Sequence, residues 1–431
     1  MAGSCVHYLL KDPENQVFLA DQYEKNVDAI LGGHSRGIKK VGNIAIETKG
    51  WIEEIAPDLV IGLLPKNLFT PVARICVDKK KSLVLPSYPS PEIYEMRDEI
   101  KDSGISVFVE LGVDPGIDHM SACSIIENVH SKGGKIESFW SVCGSLPSQE
   151  ANNNPMGYKV SWAPSSVVLA SRKDAAFLMD GKAVRYENGE TYKHTFLMEI
   201  DGEGTFECYG TVGDSLVYAD LYNIPEAGTI FRGTLRYLGW SETVTALRKL
   251  GYFGDEVMDM FGMTFGSLTR KFASIPNDKE IVKGVSDFLG VAPHSAVMLR
   301  LGWLGLFDEK KAIPITKGST GDVTSGVYME KMSFQPGERD LVLLQHRFDV
   351  KYENDKRERI YSILSERGTF GEETAIAKTT GLPVAMGAAL YLQKKYVKPG
   401  LVFPTVPEIY KPVLKMLADE NIVMRESVVA V

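Results

Sequence analysis

Short apolar runs recur along the first part of the chain at the spacing of an α/β domain. They carry apolar residues on both faces, as buried parallel strands do, and they lie at 16–21, 41–47, 58–65, 81–88 and 105–114. Helical stretches separate them, and one begins where Ser90 can cap and Pro91 can take the first helical position. This alternation predicts an α/β fold built on a Rossmann-type, doubly wound parallel sheet.

The pattern changes after residue 116. Strand-like runs with much Gly, Ser and Asn are followed by mostly helical signals, then by two strands and two closing helices. The strands are expected at 136–143, 193–210, 340–350 and 358–366, and the closing helices at 371–394 and 406–420. We expect three units: a dinucleotide-binding domain at 1–115 with 393–431, a mixed α/β substrate and dimerisation domain at 116–240 with 336–392, and a mainly helical insertion at 241–335.

Composition narrows the classes of function. The 431 residues carry a formal net charge of −8, which argues against a nucleic-acid partner. There is no run of 18 apolar residues and no basic start followed by an apolar core, so neither a membrane span nor a signal peptide is expected. The five dispersed cysteines lack metal-site spacing and fit a reduced, cytoplasmic protein. A homodimer is expected because one sheet face of the mixed domain needs covering.

The start of the chain is unusual for a dinucleotide-binding domain. Such a domain opens with a strand, a GxGxxG loop and a helix, whereas here Ala2 and Gly3 run directly into a helix. If Gly3 is the last glycine of that fingerprint, Asp21 falls ~20 residues on, where the acid that binds the ribose hydroxyls belongs. We therefore expect that the first strand and two glycines are missing, that Asp21 favours NAD over NADP, and that NADP is the second choice. The alternatives are an authentic start and an ordinary loop aspartate.

The segment VELGVDPGIDH at 109–119 carries the most information. Asp114, Pro115 and Gly116 end a strand and open a helix, at the carboxyl edge of a parallel sheet where ligands bind. Pro115 fixes the turn and Gly116 permits close backbone approach. The same tripeptide also suits an ordinary strand–helix turn.

Here the sequence resembles the saccharopine dehydrogenase (glutamate-forming) family, also called saccharopine reductase. Further blocks match in order: LPSYPSPEIYE at 85–95, the segment at 141–164, IFRGTLRYLGW at 230–240 and GLPVAMGAALYL at 381–392. The resemblance implies an NAD(P)-dependent oxidoreductase of lysine metabolism that interconverts saccharopine with L-glutamate and 2-aminoadipate 6-semialdehyde. Hydride moves to or from the nicotinamide at a C–N bond, while the protein orients the reactants and moves protons.

The resemblance also assigns residues. It implies cofactor contacts from Leu64, Pro65, Pro86, Ser87, Asp114, Pro115, Gly116, Ser161 and Trp162. It implies substrate contacts from Ser87, Tyr88, Cys143, Arg232, Gly233 and Thr234. Catalytic candidates among them are Tyr88, Asp114 and Cys143.

Each candidate has a second interpretation. Tyr88 could relay a proton or only position the substrate, and Asp114 could accept a proton or orient water. Cys143 could titrate or simply line the cleft. Arg232 is the preferred carboxylate clamp because guanidinium pairs bidentately with carboxylates. Lys159 could be a second cation or a solvated lysine, and His119 is interpreted as structural.

One departure puts the substrate in question. Family members usually carry Asn-Arg-Asp-Ser where this chain has residues 212–215, so Gly213 stands in place of a carboxylate-binding arginine. Arg172 or Arg236 could compensate. Two alternatives therefore remain: a related imine reductase or dehydrogenase acting on another amino-acid or carboxylated polyamine conjugate, and a non-catalytic binding protein on the same fold.

Overall fold

The computed structural model describes residues 1–353, 355–371 and 373–431. They divide into a first unit, Met1–Lys135 with Val350–Val431, and a second unit, Ile136–Asp349. The expected fold class is confirmed, because parallel strands alternate with helices in the first unit and a mixed sheet with helices follows in the second. The finer division into three domains stays a prediction.

The N-terminal part of the first unit alternates helix and strand as expected. Its elements are α1 (Ala2–Leu9), β1 (Val17–Asp21), α2 (Glu24–Leu31), β2 (Gly37–Val41), α3 (Ile44–Ile55), β3 (Leu59–Ile61), α4 (Phe69–Asp78), β4 (Ser82–Val84), α5 (Pro91–Glu95), α6 (Arg97–Asp102), β5 (Ser106–Phe108) and α7 (Ile117–Ser131). Helix α5 begins as predicted, with the Ser90 hydroxyl accepting from Ile93 N and Pro91 in the first turn.

The prediction of a strand at 41–47 was wrong. Strand β2 ends at Val41, and the Asn43 side chain accepts a hydrogen bond from Ala45 N at 3.0 Å to cap α3. The alternating Ile44 and Ile46 resemble a strand, but an N-cap side chain satisfies an amide that the first helical turn leaves open. Ile46 is consequently 71% exposed on the helix surface.

The second unit begins with a long strand and ends with another. Its elements are β6 (Lys135–Pro147), α8 (Pro164–Ala170), β7 (Ala175–Met179), β8 (Lys182–Tyr186), β9 (Phe196–Ile200), β10 (Gly204–Gly210), β11 (Gly213–Asp214), α9 (Tyr218–Leu221), β12 (Thr229–Arg236), α10 (Trp240–Lys249), β13 (Met258–Asp259), α11 (Phe265–Ala273), α12 (Ile281–Leu289), α13 (Ala296–Trp303), β14 (Lys317–Gly318), α14 (Thr320–Met332) and β15 (Asp340–Lys351). Helices therefore fill most of the segment from 241 to 335, and they share an apolar core with Tyr158, Tyr209 and Trp240.

The chain then returns to the first unit. It adds β16 (Arg357–Arg367), α15 (Ala375–Leu392), β17 (Gly400–Val402), α16 (Pro407–Asp419) and β18 (Arg425–Ala430), which pairs antiparallel with β16. The helix expected at 371–394 includes position 372, which lies outside the described residues. By length and a mean hydropathy of 1.2, α15 could cross a membrane, but 67% of it is buried inside the protein, as in a core helix.

Apart from β16 and β18, the strands of the first unit form two parallel sheets. Strands β1 and β2 pair with each other, and the other sheet has the order β17-β5-β4-β3. In the second unit the order is β11-β7-β12-β6-β15, with β8 beside β7 and with β10 joining β12 to β9. All strands of the four-stranded sheet run the same way, so their carboxyl ends lie along one edge.

Candidate functional site

That carboxyl edge brings together residues from distant parts of the sequence. Leu64 and Pro65 follow β3, whereas Pro86, Ser87 and Tyr88 follow β4. Backbone pairing continues past the strand ends, since Leu85 N donates to Phe108 O at 2.8 Å and Glu110 N donates to Ser87 O at 3.1 Å. The structure thus places these predicted residues on one sheet edge, where parallel α/β folds bind ligands.

The turn at residues 114–116 closes against this edge. The Asp114–Pro115 peptide bond is cis, and Gly112 N donates to Pro115 O at 2.8 Å. Gly116 has φ +146, and a Cβ there would lie 2.0 Å from Gly112 O. A Cβ on Gly112 would lie 2.7 Å from Pro86 O. Only glycine fits at either position, so bare backbone lies beside the β4 strand end.

Two of the catalytic candidates lie in this region. Tyr88 and Asp114 are both half-buried, in contrast to the fully buried strands that precede them. Partial exposure lets each side chain meet a ligand. Their assignment as catalytic residues stays a prediction.

The second unit provides a polar sheet face. Side chains alternate along a strand, so Arg232, Thr234 and Arg236 share one face of β12. Thr234 is in register with Cys143 of β6 on one side and with Tyr209 of β10 on the other. Thr234 and Cys143, which the sequence assigned to substrate, are therefore neighbours on this face.

Gly233 faces the opposite side of β12. A Cβ at this glycine would lie 2.6 Å from Cys208 Sγ and 3.0 Å from a methyl group of Val142. Cys208 is fully buried, and burial raises the pKa of its thiol well above the ordinary value. The glycine thus makes room for the core beneath the polar face.

Arg232 is already held by an aromatic neighbour. Its guanidinium donates to the Tyr218 hydroxyl and lies 4.8 Å from the centre of that ring. The residue is only 3% exposed. The expected carboxylate clamp is therefore a buried arginine with a phenol partner.

Arg236 is surrounded by aromatic rings. It is 7% exposed, its guanidinium lies 5.1 Å from the Tyr158 ring and 5.6 Å from the Trp240 ring, and Nη1 donates to Leu235 O. Across the described residues, no carboxylate forms an ion pair with it and its Nε has no hydrogen-bond partner.

Among the described residues, Arg236 has no carboxylate partner. Burial acts to lower the pKa of Arg236, but the ionisable groups around it together act to raise it by more, so the guanidinium stays cationic. Burial raises the pKa of Tyr158 and of Tyr209, which keeps both phenols neutral. Glu207 is opposite Arg236 in register, but its carboxylate accepts from Gly239 N at 2.8 Å and from another amide of the same helix start.

Two other cations of the second unit that were considered as substrate contacts have acidic partners. Lys159 is buried and its Nζ lies 2.5 Å from Glu338, while Arg172 lies 2.7 Å from Asp255 at the surface. Lys159 is thus a paired lysine rather than a solvated one. Of the two arginines proposed to compensate for Gly213, Arg236 is the buried one without an acidic partner in the described chain.

Gly213 itself lies at the surface. Its φ is +118, and a Cβ would meet no atom within 4 Å. Asp214 next to it accepts from Leu216 N at 2.9 Å and so begins a short helical turn. The position that carries arginine in the resembling family is open here but has a backbone that favours glycine.

The two cofactor candidates of the second unit are adjacent in sequence. The Ser161 hydroxyl lies 2.8 Å from that of Ser145, and both residues are half-buried. The Trp162 indole approaches the Tyr158 hydroxyl and lowers its pKa, but less than burial raises it. The Tyr158 hydroxyl forms no hydrogen bond of standard geometry with any described residue.

The expected ribose and phosphate contacts lie at the start of the first unit. Ala2 and Gly3 form the first turn of α1, which packs closely on α15: a Cβ at Gly381 would lie 2.4 Å from Met1 O. Asp21 ends β1, and its carboxylate accepts from Tyr23 N at 2.8 Å, which closes the turn into α2.

A sequence profile described as the saccharopine dehydrogenase C-terminal domain matches residues 112–423. The chain belongs to the saccharopine dehydrogenase family. Two curated relatives are named saccharopine dehydrogenase (NADP(+), L-glutamate-forming). The Pyricularia oryzae protein is 36% identical over 384 residues, covering 86% of this chain and 85% of the relative. The Saccharomyces cerevisiae protein is 35% identical over 381 residues, with the same two coverages.

A solved structure agrees. The apo histidine-tagged saccharopine dehydrogenase (L-Glu forming) from Saccharomyces cerevisiae has a TM-score of 0.88 and 31% identity, covering 100% of this chain and 97% of that one. The family resemblance inferred from the sequence is therefore confirmed.

Two groups of residues in this member of the saccharopine dehydrogenase family were not predicted from the sequence. One is the set of tyrosines around Arg236: the alternation of Arg232, Thr234 and Arg236 indicates their shared face of β12, but it does not indicate tyrosines from other segments. The other is Glu110, whose contact with His119 no local pattern in the sequence indicates.

Proposed function

We propose that the protein is an oxidoreductase acting on a CH–NH bond, interconverting saccharopine with L-glutamate and 2-aminoadipate 6-semialdehyde. Family membership supports the reaction, since both curated relatives described above carry that activity in their names. Among the described residues the buried Arg236 has no carboxylate partner, and this supports an anionic substrate. A buried cation is costly unless an anion meets it, and a substrate carboxylate would supply that anion.

The cofactor of the proposed reaction is a nicotinamide dinucleotide. When bound, it supplies the hydride donor or acceptor. The carboxyl edge fits such a group because Gly112 and Gly116 leave backbone without side chains there. The relatives' names support NADP, whereas Asp21 at the end of β1 supports NAD because a carboxylate repels a 2′-phosphate.

In this proposal, side chains of the protein transfer the protons of the reaction and position the substrate. Asp114, half-buried in the turn, accepts a proton from the secondary amine or orients the water that attacks the imine. Tyr88 positions the substrate at the β4 strand end. Cys143 lines the polar face of the second unit beside Thr234.

We also propose a cytoplasmic homodimer. The five cysteines, all within the described residues, form no disulfide, as a reducing compartment favours. Strand β18 exposes Val428 and Val429 at 55% and 45%, and an exposed apolar strand is a feature that self-association covers.

Turnover tests the function directly. Purified protein is mixed with saccharopine and either NADP+ or NAD+, and formation of reduced nicotinamide is followed by absorbance, with glutamate measured as product. Reduction with stoichiometric glutamate supports the proposal. Reduction with another carboxylated amino-acid conjugate but not with saccharopine would support the second candidate, which Gly213 motivates. Dinucleotide binding without turnover of either substrate class would support the non-catalytic alternative.

A further inference from the structure

Glu110 has an unusual backbone conformation at the carboxyl edge. It follows β5 with φ +59, a left-handed value that residues with a Cβ rarely adopt. Its N–H donates to Ser87 O at 3.1 Å, so the distortion is beside the β4 strand end. Unfavourable conformations of this kind cluster where the surrounding structure holds a functional arrangement.

The side chain of Glu110 is buried against a histidine. Its Oε2 lies 2.9 Å from His119 Nε2 at the start of α7, an electrostatic contact rather than an aligned hydrogen bond. Glu110 is 5% exposed and His119 is fully buried. A carboxylate out of water is costly unless polar groups lie beside it, and the His119 imidazole is such a neighbour.

The same histidine is close to the turn through Asp118. Asp118 Oδ1 accepts from Gly116 N at 2.6 Å and lies 4.0 Å from His119 Nε2. Two carboxylates therefore approach the same imidazole nitrogen: Glu110 from the β5 strand end, and Asp118, which fixes the Gly116 amide. Glu110 and His119 connect the sheet edge to the turn at residues 114–116.

We propose that Glu110 and His119 form a positioning pair for the oxidoreductase reaction. They hold the turn at residues 114–116, and with it Asp114, in the geometry that the reaction needs. Neither side chain touches the reacting atoms, and the inference rests on the proposed function. A small misplacement of reacting groups is costly, which makes such a pair matter.

A glycine substitution at Glu110 separates the effect of the backbone conformation from the effect of the side chain. Glu110→Gly keeps the left-handed backbone, which glycine adopts readily, and removes the side chain with its carboxylate. Lys80→Gly is the matched control, because Lys80 has φ +52 in the same unit and an exposed side chain. Glu110→Gln is the second variant, since it keeps size and removes charge.

Activity and local exchange are measured on all three variants. In both Glu110 variants we expect kcat to fall about 10- to 100-fold with the saccharopine KM within about threefold. We also expect amide hydrogen exchange at residues 116–118 to be roughly tenfold faster or more. Lys80→Gly should match the parent in both measurements, and circular dichroism checks folding throughout.

The outcomes are distinguishable. Parent-like kcat in a folded Glu110 variant would overturn the inference, with or without faster exchange. Loss of folding in both Glu110 variants would also overturn it, because the pair would then serve stability. A parent without turnover would refute the proposed function, and unchanged exchange at the turn would separately refute the positioning pair.

Discussion

Replacing Arg236 by methionine tests whether a buried cation is kept for a substrate anion. Methionine has a similar length and no charge, so it fills the space between the aromatic rings that Arg236 occupies. Two cation–π contacts are lost, each worth about 0.5–2 kcal/mol. The cost of burying a charge without an acidic partner disappears, and that cost is several kcal/mol. The gain offsets or exceeds the loss, so the free energy of unfolding should stay within about 2 kcal/mol of the parent or rise.

In contrast to stability, saccharopine binding should weaken in Arg236→Met. A hydrogen bond to a charged group contributes about 1.5–3 kcal/mol, which corresponds to a rise in the saccharopine KM of roughly one to two decades. Steady-state kinetics give KM, and denaturant unfolding without substrate gives stability. Arg172→Met is the control, because Arg172 is at the surface and paired with Asp255. An Arg236→Met protein with parental KM and several kcal/mol less stability would refute the reasoning and make Arg236 a structural residue.

Three further predictions concern the cofactor, the turn and the thiols. Asp21→Ser should raise kcat/KM for NADP relative to NAD by about tenfold, because the carboxylate that repels a 2′-phosphate is gone; an unchanged ratio would exclude Asp21 from the ribose site. Gly116→Ala should lower the melting temperature and abolish turnover, since its Cβ would lie 2.0 Å from Gly112 O; a stable, active variant would contradict this. Iodoacetamide should label half-buried Cys143 first, with saccharopine protecting it, because burial raises the pKa of Cys5 and Cys76 to about 12; equal labelling by mass spectrometry would refute the assignment.

Much of the fold could be predicted because apolar runs and turn residues act locally. The parallel strands, the capped helix after Ser90 and the closing helices followed from periodicity and capping. The strand at 41–47 failed because Asn43 starts a helix, which hydrophobic pattern alone does not report. Strand β18 was missed because its residues are exposed on both faces and lack a buried pattern.

The site could be predicted only in part. Residues that follow strands, such as Ser87 and Asp114, could be placed because parallel strands share an edge. Arg232 was named as the carboxylate clamp because sequence gives side-chain type but not the partner, and that assignment stays a prediction. The structure adds a phenol beside Arg232 and, among the described residues, no carboxylate beside Arg236. The left-handed backbone of Glu110 depends on contacts between a strand end and a helix, which no window of sequence contains.

The cations of the polar face bear on which substrate the protein prefers. Saccharopine carries three carboxylates, and each must be met by a cation, a hydroxyl or an amide. Arg232 is engaged by Tyr218, Lys159 by Glu338, and Gly213 contributes no charge. Arg236 is therefore a buried cation of the second unit that lacks an acidic partner among the residues that the structure describes. If Arg236 supplies the main positive charge, a substrate analogue without the carboxylate that Arg236 binds should have an affinity about one to two decades lower. An analogue without one of the other carboxylates should lose less affinity. Competition by mono- and dicarboxylate analogues in Arg236→Met and parent proteins would distinguish the two cases, because only the analogue bound through Arg236 loses its advantage in the variant.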